Sequence, residues 1–274
     1  MIELETGSAR AAIDSERGFA CARFSVADWP VLGGGMHVEF PWVGARPARS
    51  ARLRTGSVQF EVGGGPADTL AAHGWILEPR ADVPRARLRT DPTTSAYPFE
   101  LELLAEWRLD AESLRLELEL VNRSKRHAPF GIGVRADLAP LGGRVQVLAP
   151  AEQYAVVGGK EIDLRRPMPV EQHIHVSLTR RHFANLQTQL AVLGQNSNRE
   201  VWLNTSADFR EAELSIGPDG SGTLASATCI PDAFARHADG VTTGLRVLAP
   251  GEAWRGHALL VAGVHCEPDR HERE

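Results

Sequence analysis

Arg135 and Asp137 stand two residues apart in the run Gly133-Val134-Arg135-Ala136-Asp137-Leu138. If that run is a strand, positions i and i+2 share a face, and one surface then carries both a guanidinium and a carboxylate. A guanidinium can grip a carboxylate or phosphate through two parallel hydrogen bonds. It can equally pair with Asp137 and do no more than close a groove, and both readings stand. His173 and His175 share a face by the same spacing, with His182 following. His-x-His on a strand is a metal-ligating pattern, but spacing indicates no third ligand. Exposed or hydrogen-bonded histidines are expected, and no metal is assigned. Trp42 and Trp75 offer faces on which a ligand ring could stack, although tryptophan more often belongs to the core. Asp232 is a further acid, in a context that suggests a turn residue. The glycine runs are not phosphate cradles, because none sits in a GxxxxGK[ST] or strand–GxGxxG–helix setting. Cys21, Cys229 and Cys266 are odd in number and fit no zinc or CxxC spacing. No cofactor is called for.

The elements that must position these groups read as strands. In Ser113–Val121 the leucines fall on every second position and charges on the others, one face for a core and one for water. Phe99 to Leu109 alternates too, and Asp110-Ala111-Glu112 joins the two as an antiparallel hairpin. Shorter alternating runs occur at Ser57–Val62, Val145–Leu148, Glu200–Leu203 and His257–Ala262. Gly33-Gly34-Gly35, Gly63-Gly64-Gly65-Pro66, Gly142-Gly143, Gly158-Gly159 and Pro218-Asp219-Gly220 punctuate the chain as turns. Ser177 to Leu193 is ambiguous: it is rich enough in helix formers to be a helix, yet it follows an extended-looking His173–Val176. No internal repeat or linker interrupts Met1 to Gly263. The expectation is one all-β domain, a large antiparallel β-sandwich over residues 1–266, with 267–274 a frayed tail.

Composition narrows the partners. The 274 residues carry 30 basic and 35 acidic side chains, a net charge of −5, which argues against a nucleic-acid backbone as partner. Lys125 and Lys160 are the only lysines among those basic residues. No apolar run approaches the ~18 residues of a membrane span, and the acidic, alternating start is unlike a secretory signal. A reduced, cytoplasmic protein is expected, with no membrane partner. Oligomeric state is left open.

Three stretches resemble the aldose 1-epimerase (galactose mutarotase-like) superfamily. The first is Phe40-Pro41-Trp42-Val43-Gly44-Ala45-Arg46 with His73-Gly74-Trp75. The second runs from Tyr97-Pro98-Phe99 through Val121-Asn122-Arg123-Ser124 to Pro129-Phe130-Gly131-Ile132-Gly133. The third comprises Ser206–Arg210, Pro231-Asp232-Ala233-Phe234 and Gly244–Glu252. The resemblance implies a galactose mutarotase-like supersandwich with a sugar cleft on one concave face. It also implies chemistry: a glutamate base takes the proton of the anomeric hydroxyl while a histidine acid protonates the ring oxygen.

This chain departs from that pattern where the chemistry lies. Arg46 and His73 match the sugar-holding arginine and histidine. Arg135 stands where the acid histidine belongs, and an arginine cannot deliver a proton near neutral pH. Ala225 falls near the position of the glutamate, and no carboxylate lies between Asp219 and Asp232. Arg181-His182-Phe183 replaces a hydroxyl-binding aspartate, and Leu77 an arginine. The leading expectation is therefore a carbohydrate-binding protein that has lost or altered standard mutarotation. It would hold a sugar or sugar-like ligand, acidic or phosphorylated ones included, through Arg46, His73, Trp75, Arg135 and His182. One alternative is an active epimerase with substitute acid and base among His73, Asp137 and His182. The other is a different isomerase or cyclase chemistry in which Arg135 stabilises a developing anion.

Overall fold

The computed structural model describes residues 1–44, 51–55, 58–62, 74–79, 83–92, 97–156, 173–175, 178–187, 189–194, 197–217 and 219–264. Among them, one sheet runs in the order β1 (Ile2–Thr6), β2 (Ala9–Asp14), β3 (Ala20–Val26), β5 (Leu32–Glu39), β13 (Gly133–Leu138), β21 (Gly222–Ala227), β20 (Glu211–Ile216), β17 (Leu178–Leu186) and β15 (Ala151–Val156), with the short β4 (Trp29–Pro30) on β3. The second sheet runs β16 (His173–His175), β14 (Val145–Leu148), β18 (Leu190–Gly194), β19 (Arg199–Thr205), β23 (Ala253–Val264), β11 (Ser113–Asn122), β10 (Leu101–Leu109), β9 (Arg85–Arg89) and β8 (Ile76–Leu77). Two small ribbons pair β12 (Ala128–Phe130) with β22 (Arg246–Leu248) and β6 (Ala51–Thr55) with β7 (Val58–Val62). A single six-residue helix, α1 (Ala233–Ala238), is described. The all-β architecture is the one expected.

Alternation does the sorting. In the β10–β11 hairpin, Leu103 faces Leu120, Ala105 faces Leu118 and Trp107 faces Leu116, all buried, and Asp110 N–H donates to the Ser113 carbonyl at 2.8 Å to close the turn. Each of these leucines contributes about 1.5–3 kcal/mol by leaving water. The outward positions form a charged lattice, in which Glu102 receives Arg89 at 2.6 Å and Arg123 at 2.8 Å. One contiguous core of buried apolar side chains, from Ala9 to Ala262, draws on both sheets.

The family-like motifs prove largely to be scaffolding. The Tyr97 hydroxyl donates to the Pro129 carbonyl. The Asn122 amide donates to the carbonyls of Arg126 at 2.8 Å and Leu248 at 2.9 Å, tying the end of β11 to the β12–β22 ribbon. Asp208 accepts from Trp254 Nε1 at 2.8 Å and from Arg246 at 3.1 Å, and the Trp254 ring lies between Phe130 and Phe209. These polar contacts tie loops to the sheets.

One local expectation is corrected, one open segment is decided and one turn is placed. The ambiguous Ser177–Leu193 segment is extended over Leu178–Leu186 and from Leu190 onward, as β17 and β18, because β17 finds partners in both β15 and β20 and the sheet overrides helix propensity. Gly33-Gly34-Gly35 is not a turn but lies inside β5. There the pairing with β13 slips between Asp137 and Leu138, so Gly33 and Gly34 form an exposed bulge. Asp232 is a turn residue as expected, left-handed at φ 57° in the turn that leads into α1.

Candidate functional site

Strand register builds the site. His37 of β5, Arg135 of β13, Ala225 of β21, Glu213 of β20 and His182 of β17 are successive cross-strand partners, one row across five strands. The next row on the same face is Glu39, Gly133, Ala227, Glu211 and Ala184. Both rows face away from the core, since their neighbours Val38, Val134, Leu214 and Phe183 fill the space between the sheets. The small residues Gly133, Ala225 and Ala227 leave a hollow that the long side chains around them line. A methyl on Gly133 would meet the Glu39 carboxylate at 3.2 Å and the Ala227 side chain at 3.3 Å.

The hollow is a shallow cleft of about 20 Å³, partly open to solvent, walled by Glu39, Arg135, His182, Glu211 and Glu213 with Val43, Cys229 and Pro231 at its apolar side. That is room for about one water molecule, far below the ~300–1,000 Å³ of clefts that enclose drug-sized ligands.

Arg135 sits between two carboxylates. Its Nε donates to Glu39 at 3.3 Å and its Nη2 to Glu213 at 3.0 Å; each glutamate is only 6% exposed. Burial works against the guanidinium charge, but Glu39 and Glu213 outweigh it and push its pKa above the ordinary arginine value. Glu39 also accepts the Gly44 N–H at 3.0 Å, which joins the strand end to the following loop. Asp137 shares the face of Arg135 as its spacing requires, yet it accepts instead from the Thr223 hydroxyl at 2.6 Å. His37, on the far side of Arg135, has its pKa lowered by burial, against the pull of Glu39 and Asp137.

His182 forms the other half of the site. Its Nε2 lies 2.8 Å from Glu211 Oε2, the residue is 1% exposed, and its Nδ1 is buried with no hydrogen-bond partner. The tautomer that donates from Nε2 to Glu211 is the one that leaves Nδ1 as an acceptor. Cys229 is buried against the same cleft, and burial raises its thiol pKa far above the ordinary value. It is therefore inert as a nucleophile.

Of the residues singled out by sequence, the structure brings Arg135 and His182 into one cleft and puts Asp137 on the same face. Trp75 lies elsewhere: partly buried against the core, its ring centroid is 5.6 Å from that of Phe19. Trp42 is 2% exposed and belongs to the core. Arg46 and His73 fall outside the described residues, as do Cys266 and the tail at 267–274, and for His173 and His175 the backbone alone is described. Among the described residues no helix is long and apolar enough to cross a membrane. Sequence reasoning missed Glu39, Glu211 and Glu213. Their signal was a charge on alternate positions of otherwise apolar runs, in His37-Val38-Glu39 and Glu211-Ala212-Glu213-Leu214.

No protein-family model matches the chain, and no curated protein matches it significantly. Solved structures do resemble it. The Slr1438 protein of Synechocystis sp. PCC 6803 superimposes with a TM-score of 0.78 at 16% identity, covering 96% of each chain. A galactose mutarotase-like protein from Lactobacillus casei gives 0.74 at 14% identity, covering 96% of this chain and all of that one (100%). The aldose epimerase homologue from C. elegans gives 0.71 at 11%, over 96% and 98%. The chain thus has the galactose mutarotase-like fold, and the likeness read from the three motif stretches is met at that level. Arg135 and Ala225, the positions where that likeness expects an acid and a base, are direct cross-strand partners.

Proposed function

We propose that this chain, folded as a galactose mutarotase-like sandwich, binds a small carbohydrate in the cleft around Arg135 and does not run mutarotation by the family's histidine–glutamate pair. One observation carries the reading: the position of the proton donor holds a guanidinium fixed between Glu39 and Glu213, and its cross-strand partner is Ala225. Neither side chain can exchange a proton with a sugar near neutral pH. A general acid or base contributes on the order of 10²–10⁴-fold, so loss of both leaves little of that route.

The test is anomer-exchange NMR on glucose and galactose, with and without protein, near pH 7. The expected result is no acceleration, together with selective line broadening of the sugar that binds. Exchange at the rate of a true epimerase would end the reading. A second reading keeps activity and draws on the His182–Glu211 pair, whose 2.8 Å contact and unpartnered Nδ1 form a base of the right kind. Under it, exchange is accelerated in the parent protein and falls about 100-fold or more in His182→Gln.

A further inference from the structure

The outer face of the second sheet carries a hollow of its own, built by strand register like the cleft around Arg135. Arg87 of β9, Leu104 of β10, Glu119 of β11 and Arg255 of β23 are successive cross-strand partners, and Arg89, Glu102, Val121 and Ala253 form the next row. Leu104 and Val121 are short side chains among long ones. They floor a hollow of about 180 Å³ with Arg85, Arg87 and Arg123 around it. One water needs roughly 10–15 Å³ of such space, so a small solute fits.

The guanidiniums there are underused. Each carries five N–H donors, yet among the described residues the three make only three hydrogen bonds. Arg87 donates through Nη2 to Glu78 and through Nη1 to Glu102 at 3.4 Å, and Arg123 through Nη2 to Glu102 at 2.8 Å. The Arg85 guanidinium makes none: its Nε is buried 3.0 Å from Glu78 Oε2, as an ion pair without the alignment of a hydrogen bond. The two carboxylates in the wall have cations from outside the hollow. Glu102 is met by Arg89 at 2.6 Å and Glu119 by Arg255 at 2.8 Å. Burial acts to raise the pKa of Glu102, but hydrogen bonds from Arg123 and Arg89 outweigh it and hold the carboxyl below its usual range. The wall thus fixes its arginines in place and leaves N–H groups on all three for a ligand.

We propose that this hollow binds a phosphate group, carried as the inorganic ion or on a phosphorylated metabolite. Guanidinium forks match phosphate oxygens through paired hydrogen bonds. Arg85 and Arg87 come from β9, whereas Arg123 lies just past the end of β11, so the donors stand on two sides of the floor. A tetrahedral anion can accept from all three at once. A planar carboxylate offers two oxygens and leaves one guanidinium unmet. The cleft around Arg135 lies on the outer face of the other sheet, so phosphate binding here and sugar binding there are separate properties.

The experiment is calorimetric titration of the intact protein, near pH 7 and at low salt, with inorganic phosphate, D-glucose 6-phosphate, D-glucose and acetate. Each titration is repeated on Arg85→Gln, Arg123→Gln and Arg10→Gln. Arg10 is an exposed arginine paired with Glu5 on the first sheet, and replacing it removes the same charge far from the hollow. Phosphate is expected to bind the parent protein saturably. It should bind Arg85→Gln and Arg123→Gln about tenfold more weakly, the scale of one hydrogen bond to a charged group, and Arg10→Gln unchanged. Arg123 is half-exposed, so its variant should keep the far-ultraviolet circular dichroism of the parent whatever Arg85 contributes to folding. Tighter binding of the ester than of free phosphate would support a phosphorylated metabolite as the ligand, and the reverse order the free ion. Acetate binding as tightly as phosphate would overturn the phosphate assignment. An equal loss in Arg10→Gln would reduce the effect to overall charge and overturn the site. Binding unchanged in Arg85→Gln and Arg123→Gln would put the anion elsewhere and overturn it as well. So would the lack of saturable phosphate binding below about 10 mM. The glucose titration reads the carbohydrate proposal separately, so either can fail without the other.

Discussion

A guanidinium held between two buried carboxylates differs energetically from the titratable histidine that the motif resemblance places at the same position. Removing Arg135 would leave Glu39 and Glu213 facing each other in a cleft where each is nearly out of water. Breaking a buried ion pair from one side costs about 3–5 kcal/mol, most of it the penalty for the charge left behind. Arg135→Met is accordingly expected to lower unfolding free energy by about 3 kcal/mol in urea titrations at pH 7. Glu213→Gln should cost much less, because Glu39 still answers the charge. The combined Arg135→Met, Glu39→Gln, Glu213→Gln variant should recover most of the loss, since three neutral groups need no counter-ion. If the triple variant were as unstable as the single one, packing and not charge would be what Arg135 supplies. The sequence made Arg135 conspicuous by its place in a motif. It could not show the two glutamates that define its role, because they lie 96 and 78 residues away along the chain and meet it only through strand register.

At the scale of elements, β5 shows both what alternation reveals and where it stops. The Leu103–Trp107 and Leu114–Leu120 periodicities were readable because each strand keeps a strict two-residue repeat against one buried face. In β5 three consecutive glycines erase that repeat, and a turn is the natural reading. The strand instead carries a bulge: Asp137 pairs with Gly35 and Leu138 with Leu32. Gly35 has φ +98°, and a β-carbon there would approach the Cys21 carbonyl to 2.8 Å. Gly35→Ala thus meets both a left-handed backbone and a backbone clash, which costs about 1–3 kcal/mol. The bulge sets how β5 delivers His37 and Glu39 beside Arg135, so Gly35→Ala is expected to weaken ligand binding as well as stability. Substitution at Gly7, where φ is +58° but nothing lies within 4 Å, should lower stability less and leave binding unchanged. Calorimetry and urea titration of the two variants side by side would separate the cases. Similar effects on binding would mean the bulge has no part in aiming the site. The Ser177–Leu193 segment marks another limit of local reading: its helix-forming composition is outweighed by β-pairing on both sides of β17, a fact of topology.

For the molecule as a whole, the order of strands in space departs widely from their order in sequence. The last described strand, β23, lies between β19 and β11, pairing Leu203 with Leu260 on one side and Leu116 with Ala258 on the other. β13 similarly joins β5, nearly a hundred residues earlier, to β21, nearly a hundred later. Contacts of such separation must close long loops before they return any free energy, so folding should be slow and the sheets should form together. Both sheets also feed one contiguous core. The expected outcome is a single unfolding transition, with coincident midpoints from far-ultraviolet circular dichroism and from the fluorescence of the buried tryptophans, Trp29, Trp42, Trp107 and Trp254. A chain ended at Glu252 lacks the strand that bridges β19 to β11, and both would present a bare edge where their partner belongs. It should fail to give the cooperative transition and should aggregate, even though every residue of the cleft is still present. A soluble, cooperatively folding product ending at Glu252 would show instead that the site-bearing sheet is stable without the continuous second sheet. The cleft would then be a property of one layer and not of the sandwich.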